Sequence, residues 1–234
     1  MIKQSLYKMY RLVPPGVRKS VGKLGIVTSF KRLWFEADTS FHDDFYTAEY
    51  YERDVAGAAE HAAPFVRDHV LRTFAPGSVL DAGCGTGDIL KAFTDAGVEG
   101  HGAELAAAGL EICRAKGLDV VQVDLAHCDR LPWEVDLVYS FEVAEHIGES
   151  AAGRYVGALT TAARREVLMT AAAPGQAGLC HVNCQPKSYW IELFRARGFA
   201  YDAEATDLWE RENRRNGLAD WFYKNLMVFR RASA

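Results

Sequence analysis

The chain has 234 residues, of which 49% are hydrophobic and 25% are charged. This length and balance predict one soluble globular domain with at most a small appendage, and they exclude a disordered or collagen-like chain. Lysine and arginine number 27 against 31 acidic residues, so the net charge of −4 gives no general argument for nucleic-acid binding.

Cysteine usage and hydropathy predict a cytoplasmic location. The five cysteines are an odd number without a repeated Cys-x-x-Cys pair, which favours reduced thiols. There is no run of about 18 uncharged apolar residues, so we expect no membrane-spanning helix. Basic residues interrupt the first apolar stretch, so we also expect no signal peptide.

The first 35 residues carry a different charge from the rest of the chain. They contain eight basic residues and no acid before Glu36. After Pro14-Pro15-Gly16, apolar residues recur at helical spacing as far as Trp34, which predicts a basic amphipathic helix. Three interpretations stay open: an arm packed on the domain or on a partner subunit, an interfacial helix on an anionic membrane near a lipid-linked substrate, and an arm that contacts nucleic acid.

Residues 41–53, FHDDFYTAEYYER, are aromatic and acidic. They predict a loop and a short helix that fold over a site, with packing in a surface groove as the alternative. The aromatic residues expected to cover a ligand or to wall its pocket are Tyr46, Tyr50, Tyr51, Tyr189 and Trp190.

From about residue 55 the pattern alternates between helices and strands. Helices are predicted at 58–74, 88–96, 105–116, 149–164 and 187–197, and strands at 78–81, 98–104, 119–124, 136–141, 166–171, 199–205 and 225–231. This alternation predicts an α/β fold with a mostly parallel sheet covered on both faces. Pro64 is expected to kink the first helix or to open a second one.

The stretch VLDAGCGTG at 79–87 is the most informative part of the chain. Its glycines at alternate positions, Gly83, Gly85 and Gly87, permit a sharp turn and the close approach of a ligand. Their spacing differs from the dinucleotide fingerprint, and the preceding Asp81 would repel a pyrophosphate and attract an ammonium group. S-adenosylmethionine (SAM) carries an ammonium and a sulfonium and no phosphate, so it suits this site.

Two further acids follow at the ends of the next two predicted strands. Glu104 can accept hydrogen bonds from both ribose hydroxyls of a nucleoside. Asp124 can accept one from the adenine amino group, with Leu125 supplying a backbone N–H. Three acids at three successive strand ends favour a cofactor site over separate solvated residues.

Because of these residues, the sequence resembles the class I SAM-dependent methyltransferases. The stretch at 79–87 is similar to their first motif, and Glu104, Asp124-Leu125 and DLVYSFEVAEHI at 136–147 match later motifs in order and spacing. The resemblance covers about residues 55–231 and implies a Rossmann-like seven-stranded sheet in the order 3-2-1-4-5-7-6. It implies that SAM, with S-adenosylhomocysteine (SAH) as product, is held by Asp81, Gly83, Cys84, Gly85, Gly87, Glu104, Leu105, Asp124, Leu125 and Phe141.

The acceptor side is predicted beyond the fourth and fifth strands. Glu142, Glu145 and His146 are spaced so that one helical turn would bring two or three of them together, and His181 comes from a separate loop. Two carboxylates and two imidazoles predict a divalent-ion site that suits Mg²⁺, Mn²⁺ or Zn²⁺. The segment also resembles the metal site of small-RNA 2′-O-methyltransferases and ubiquinone-pathway O-methyltransferases, which implies that these four residues hold a cation that polarises the acceptor hydroxyl. Two alternatives stay open: His146, His181 and Glu142 as metal-free catalytic groups, and a purely structural turn.

The sequence thus divides into a basic helical arm with an aromatic lid at 1–54 and a methyltransferase domain at 55–234. The leading hypothesis is O-methylation of a small hydroxylated metabolite or a saccharide. An RNA 2′-O-methyltransferase is disfavoured by a pI of about 6.0, so no nucleic-acid partner is expected. A non-catalytic SAM-binding subunit and an oligomer stay open.

Overall fold

The structure is a computed structural model that describes residues 42–176, 178 and 180–232. The predicted basic arm at 1–35 lies outside the described residues, and its three interpretations stay predictions. None of the helices in the described part of the chain has both the length and the apolar character needed to cross a membrane.

Helices and strands alternate from residue 56 onwards. The strands are β1 (Ser78–Ala82), β2 (Glu99–Glu104), β3 (Asp119–Gln122), β4 (Val135–Ser140), β5 (Ala163–Met169), β6 (Phe199–Tyr201) and β7 (Met227–Arg231). The helices are α1 (His42–Phe45), α2 (Ala48–Tyr50), α3 (Ala56–Phe74), α4 (Asp88–Asp95), α5 (Ala107–Ala115), α6 (Glu149–Ala162), α7 (Lys187–Arg195), α8 (Ala203–Arg215) and α9 (Asp220–Lys224).

The seven strands form a single sheet in the order β3-β2-β1-β4-β5-β7-β6. Neighbours from β3 to β5 are parallel, and β7 is antiparallel to both β5 and β6. The predicted Rossmann-like α/β fold and its strand order are therefore confirmed. Strand order reverses between β1 and β4, so a ligand crevice is expected where the carboxyl ends of these two strands lie side by side.

Side chains from β1 enter the core on both faces of the sheet. Val79 packs with Phe93 and Trp209 on the face covered by α3, α4, α5 and α8. Leu80 packs on the opposite face, against α6 and α7. Trp190, which the sequence suggested for a pocket wall, is fully buried in this second core, so that expectation is wrong.

The predicted sixth strand is too long. Only Phe199–Tyr201 is extended, because Asp202 caps the next helix by accepting a hydrogen bond from the Ala205 backbone N–H at 2.9 Å. The helix that follows, α8, had not been predicted. Its sequence is mostly polar, and it is anchored by the fully buried Trp209, whose indole donates to the Phe222 carbonyl.

Residues 42–55 form a lid over the ends of the strands. A π-helical turn, Tyr51–Val55, connects the lid to α3, which continues without a break through Pro64. The Asp43 carboxylate accepts a hydrogen bond from the Ala107 backbone N–H at 2.9 Å, at the start of α5. Tyr46 and Tyr51 are buried in a small apolar cluster with Ala106.

Candidate active site

A cavity of about 710 Å³ opens at the carboxyl ends of β1, β2 and β4. One half is lined by the glycine turn and the strand-end acids, and the other by the segment after β4 and the loop before α7. The lid covers both halves with His42, Tyr46, Tyr50 and Tyr51. Tyr189 does not line this cavity, although the sequence suggested it for a wall.

The turn after β1 is tied to β2 by its backbone. The N–H groups of Gly83 and Cys84 both donate to the Ala103 carbonyl, at 2.7 and 3.1 Å. Gly83 has φ 91°, and a Cβ there would lie 2.3 Å from a methyl carbon of Val143. Only glycine therefore permits both the turn and the approach of the segment after β4.

Gly87 differs from the other predicted cofactor residues, because it does not line the cavity. It precedes α4 with φ 72°, and a Cβ there would meet Leu118 at 2.5 Å and the Cys113 Sγ at 2.8 Å. Its role in this structure is close packing of the turn against Cys113 of α5 and against Leu118, the residue before β3, rather than lining the cavity.

The Glu104 carboxylate is held by three backbone N–H groups. One oxygen accepts from Gly85 at 2.8 Å, and the other accepts from Leu105 at 2.8 Å and from Ala106 at 2.9 Å. Burial raises the pKa of Glu104, and these hydrogen bonds act in the opposite direction. The carboxylate thus occupies a fixed position between the glycine turn and Tyr51.

Asp81 lacks such a set of donors. It is buried, and desolvation raises the pKa of its carboxyl well above the usual range, with repulsion from Glu104 adding to the rise. The neighbouring Tyr139 hydroxyl acts the other way. A cation bound beside Asp81 would restore its charged form.

Asp124 follows the end of β3. Its two oxygens accept from the Ala126 backbone N–H and from the His127 ring, both at 2.9 Å. Leu125 and Phe141 line the same half of the cavity. His127 was not singled out in the sequence, where it has no recognisable motif.

The charges on the cavity wall decide which class of ligand it suits. Its acidic residues among those described are Asp54, Asp81, Asp88, Glu104, Asp124 and Glu142. Arg154 is the one arginine or lysine among the described lining residues, and it pairs with Asp129 at 3.1 Å. The wall therefore suits a cationic ligand and opposes a pyrophosphate.

The segment after β4 does not form the expected helical turn. Glu142 has φ 56°, and its backbone N–H donates to the Thr170 hydroxyl at 2.6 Å. A single 3₁₀ turn, Ala144–His146, follows. This left-handed residue changes the direction of the chain, so spacing along a regular helix does not describe where the three side chains lie.

His146 and His181 nevertheless lie together, with ring centroids 5.1 Å apart. The His146 Nδ1 is 3.2 Å from the Tyr46 hydroxyl and 3.2 Å from the Cys180 carbonyl. Burial, with a further effect from His181, lowers the pKa of His146 to about 3. The imidazole is therefore neutral at physiological pH.

Glu145 lies behind this wall and does not line the cavity. It is fully buried, and among the described residues neither of its carboxyl oxygens has a hydrogen-bond partner. Burial raises the pKa of Glu145 well above the usual range, and repulsion from Glu142 adds to this. Its Oε1 is 3.8 Å from the His181 Nε2.

The four implied metal ligands are only partly brought together. Donor atoms of Glu145, His146 and His181 lie within 4.8 Å of one another, and Glu142 is outside this group, which corrects the four-residue set. Mg²⁺ and Mn²⁺ prefer oxygen ligands, whereas two of these three donors are imidazoles. One carboxylate and two imidazoles fit Zn²⁺ better than Mg²⁺ or Mn²⁺, and no chemical step is assigned to a metal.

Two parts of the wall were missed in the sequence. Trp221 and Phe222 of α9 close one side, and Trp221 is 42% exposed. Ser150 and Arg154 of α6 also line the cavity. The aromatic run DWFYK at 220–224 is the one local signal that pointed to α9.

Comparison with known proteins gives a family match. A family model described as a methyltransferase domain matches residues 51–204. A search of curated proteins found no match.

Several solved structures share the fold. A magnesium protoporphyrin IX methyltransferase from Synechocystis PCC 6803 with bound SAH is 16% identical, with a TM-score of 0.59 over 92% of this chain and 98% of that chain. A SAM-bound amino pentose methyltransferase from Micromonospora echinaspora is 18% identical, with a TM-score of 0.58 over 79% and 95%. A sugar N-methyltransferase from Streptoalloteichus is 18% identical, with a TM-score of 0.57 over 82% and 93%.

The contact between Gly83 and Val143 predicts a large difference between two glycine substitutions. Gly83→Ala is expected to lower the free energy of unfolding by about 2–5 kcal/mol, from a left-handed alanine and a steric clash. Gly97→Ala is the matched control, because Gly97 also has a positive φ of 83° but no atom within 4 Å of the added Cβ. It should cost only about 1–2 kcal/mol. Equal losses in urea unfolding would contradict the steric role of Gly83.

Proposed function

We propose that this chain, which belongs to the methyltransferase domain family, transfers a methyl group from SAM to a hydroxyl of a small metabolite or a saccharide. The family match confirms the resemblance drawn from the motif at 79–87. The observation that carries the proposal is that one cavity joins the carboxyls of Asp81 and Glu104 to the imidazoles of His146 and His181.

Each of three acids in the acid-lined half of the cavity has a proposed partner group on SAM. Asp81 would hold the ammonium group, because burial raises the pKa of its carboxyl and a bound cation would favour the charged form. Glu104 would bind the ribose hydroxyls, and Asp124 with Leu125 would bind the adenine edge. When bound there, SAM supplies a methyl group on a positively charged sulfur, and two of the structural neighbours contain SAM or SAH.

The other half supplies what an oxygen acceptor requires. A hydroxyl must lose its proton as it is methylated, and a neutral imidazole can take it. Burial lowers the pKa of His146 to about 3, which keeps the ring neutral throughout the physiological range but also weakens it as a base, so His181 is the second candidate for this role. The aromatic lid and Trp221 cover the cavity and would exclude water from it.

A specific observation favours a second candidate acceptor, an amine. The Glu142 Oε1 is buried and has no hydrogen-bond partner among the described residues, although Glu142 lines the cavity. An ammonium group of the acceptor would satisfy it. Two structural neighbours, the amino pentose methyltransferase and the sugar N-methyltransferase, support a sugar as the acceptor class and nitrogen as the alternative atom.

The cofactor assignment predicts a loss of affinity in Asp81→Asn. This variant keeps the shape of the side chain but removes the charge that pairs with the ammonium group, so we expect the Kd for SAH to rise about 10- to 150-fold. Isothermal titration calorimetry measures this. Wild-type affinity should also weaken as the pH falls through the raised pKa of Asp81, and the variant should lose that dependence.

The control for this experiment is Asp119→Asn. Asp119 lies at the start of β3, and it pairs with His101 outside the cavity. Its substitution should leave the Kd unchanged. An unchanged Kd in Asp81→Asn would reject the ammonium contact.

The acceptor assignment predicts that His146→Gln and His181→Gln reduce turnover more than they reduce cofactor affinity. We expect turnover to fall about 10²- to 10⁴-fold, since a positioned base contributes that much, with SAH affinity within threefold. Transfer of radiolabelled methyl from SAM to a panel of sugars, polyols and amino sugars measures turnover. The exposed His61 of α3 provides the control, His61→Gln. Bound SAM without product across the whole panel would instead indicate a non-catalytic subunit.

Glu142→Gln distinguishes the two acceptor classes. For an amino sugar, KM should rise about 10- to 150-fold, because the ammonium loses its charged partner. For a neutral sugar, KM should change little. Glu192→Gln, an exposed residue of α7, is the control. An equal effect on both acceptors would argue against recognition of an amine by Glu142.

A further inference from the structure

We propose that the exposed indole of Trp221 is the surface on which the ring of a saccharide acceptor stacks, with the polar edge of the sugar directed to Glu142 and Gln176. This inference rests on the proposed function, because it names the substrate class of the same site. It adds an acceptor-binding residue from α9, which lies beyond residue 204, where the family match ends.

The topology places α9 beside the loop that follows β5. Met227, the first residue of β7, pairs with Met169, the last residue of β5. Because these two strands are antiparallel, the segment that leads into β7 and the segment that leaves β5 lie at the same edge of the sheet. The Asn225 side chain joins the two segments by donating to the Gln176 side chain at 3.0 Å. Trp221 therefore lies on the acceptor side of the cavity, which it lines together with Gln176.

The residue next to Trp221 fixes the helix in place. Phe222 is buried, and its ring meets Phe141 edge-on at 5.3 Å. Its carbonyl accepts a hydrogen bond from the buried indole of Trp209 at 3.1 Å. Neighbouring residues of a helix do not share a face, so Trp221 lies on another side of α9 and lines the cavity. The helix thus holds the Trp221 ring in position without burying it.

The Trp221 indole is not used by the core. It is 42% exposed, and it is the one exposed large hydrophobic side chain among the described residues. By contrast, Trp190 and Trp209 are fully buried, and Trp133 stacks on His101. A single exposed apolar residue elsewhere on the surface would need no explanation. This one lines a cavity, and cavities bind ligands through aromatic side chains with a few polar groups.

The groups around the indole match the two kinds of surface on a sugar ring. A pyranose has a face of C–H groups, which packs on the flat surface of an indole, and an edge of hydroxyl or amino groups, which needs hydrogen-bond partners. Glu142 offers its buried Oε1, which has no partner among the described residues. Gln176, whose Oε1 accepts from Asn225, offers its amide N–H groups. A flat aromatic acceptor would cover the indole but leave Glu142 unpaired, whereas a saccharide uses both.

The test observes Trp221 directly. The protein is labelled with 5-fluorotryptophan, and the ¹⁹F signal of Trp221 is identified by its loss in Trp221→Phe. Cyclic sugars and amino sugars, the open-chain polyol made from each, and catechol as a flat aromatic are titrated with and without SAH. We expect at least one cyclic sugar to shift the Trp221 signal saturably, with the buried Trp190 and Trp209 unaffected. Its polyol, which lacks the ring face, should bind at least about fivefold more weakly.

Trp221→Ala measures the size of the effect. Because the core does not use this indole, the variant should keep the urea unfolding midpoint and the Kd for SAH of the wild type. KM for the responding sugar should rise about 5- to 30-fold, with kcat within threefold, since the ring contributes to acceptor binding alone. The control is Lys224→Ala, which changes another exposed residue of α9 that does not line the cavity, and it should leave KM unchanged.

The outcomes separate this inference from the proposed function. A saturable shift by a sugar that is never methylated would reject the proposed function and leave the stacking surface standing. Methylation of a sugar whose KM is unchanged in Trp221→Ala would reject only the role of Trp221. An equal effect of the polyol, or a shift by catechol alone, would overturn the inference. So would a Trp221 signal that no ligand shifts, which is the result expected if another part of the chain covers the indole.

Discussion

The cavity depends on carboxylates buried at the ends of parallel strands, where an acid needs either backbone donors, a cation or a proton. Glu104 has three backbone N–H groups and is fixed by them. Asp81 has no comparable set of donors, and desolvation raises the pKa of its carboxyl. A positively charged ligand therefore stabilises the ionised carboxylate of Asp81, which is shielded from water. The charge of the cavity wall thus favours cationic ligands independently of their shape.

The reversal of strand order places this acidic half beside a second half of different chemistry. β1 carries the glycine turn, and β4, its neighbour in the sheet, runs into Glu142 and His146. Gly83 lets the two segments touch, because any side chain there would meet Val143. The lid closes both halves at once through Tyr46 and Tyr51. The glycine turn, the segment after β4 and the aromatic residues of the lid thus all line one cavity at one edge of the sheet.

In the segment after β4, the backbone conformation rather than the sequence spacing decides where the side chains lie. Glu142, Glu145 and His146 stand at helical intervals, yet the left-handed Glu142 and a single 3₁₀ turn send them to different places. Glu142 faces the cavity, Glu145 is buried behind it, and His146 turns its Nδ1 to the lid. The metal site predicted from the spacing loses one of its four ligands, and the remaining three are one carboxylate and two imidazoles.

The sequence by itself predicted the α/β pattern and the acids at the strand ends, because hydrophobic runs in buried strands, glycine where φ is positive and carboxylates after strands are local signals. The strand order came from the resemblance of the motifs to a known family, since no local pattern fixes how strands are arranged in a sheet. Only the tertiary structure decided that Gly87 is a packing residue, that Trp190 is core, and that Tyr46 reaches His146. The last contact joins residues 100 positions apart. No local pattern encodes it, because it exists only once the sheet has brought the end of β4 beneath the lid.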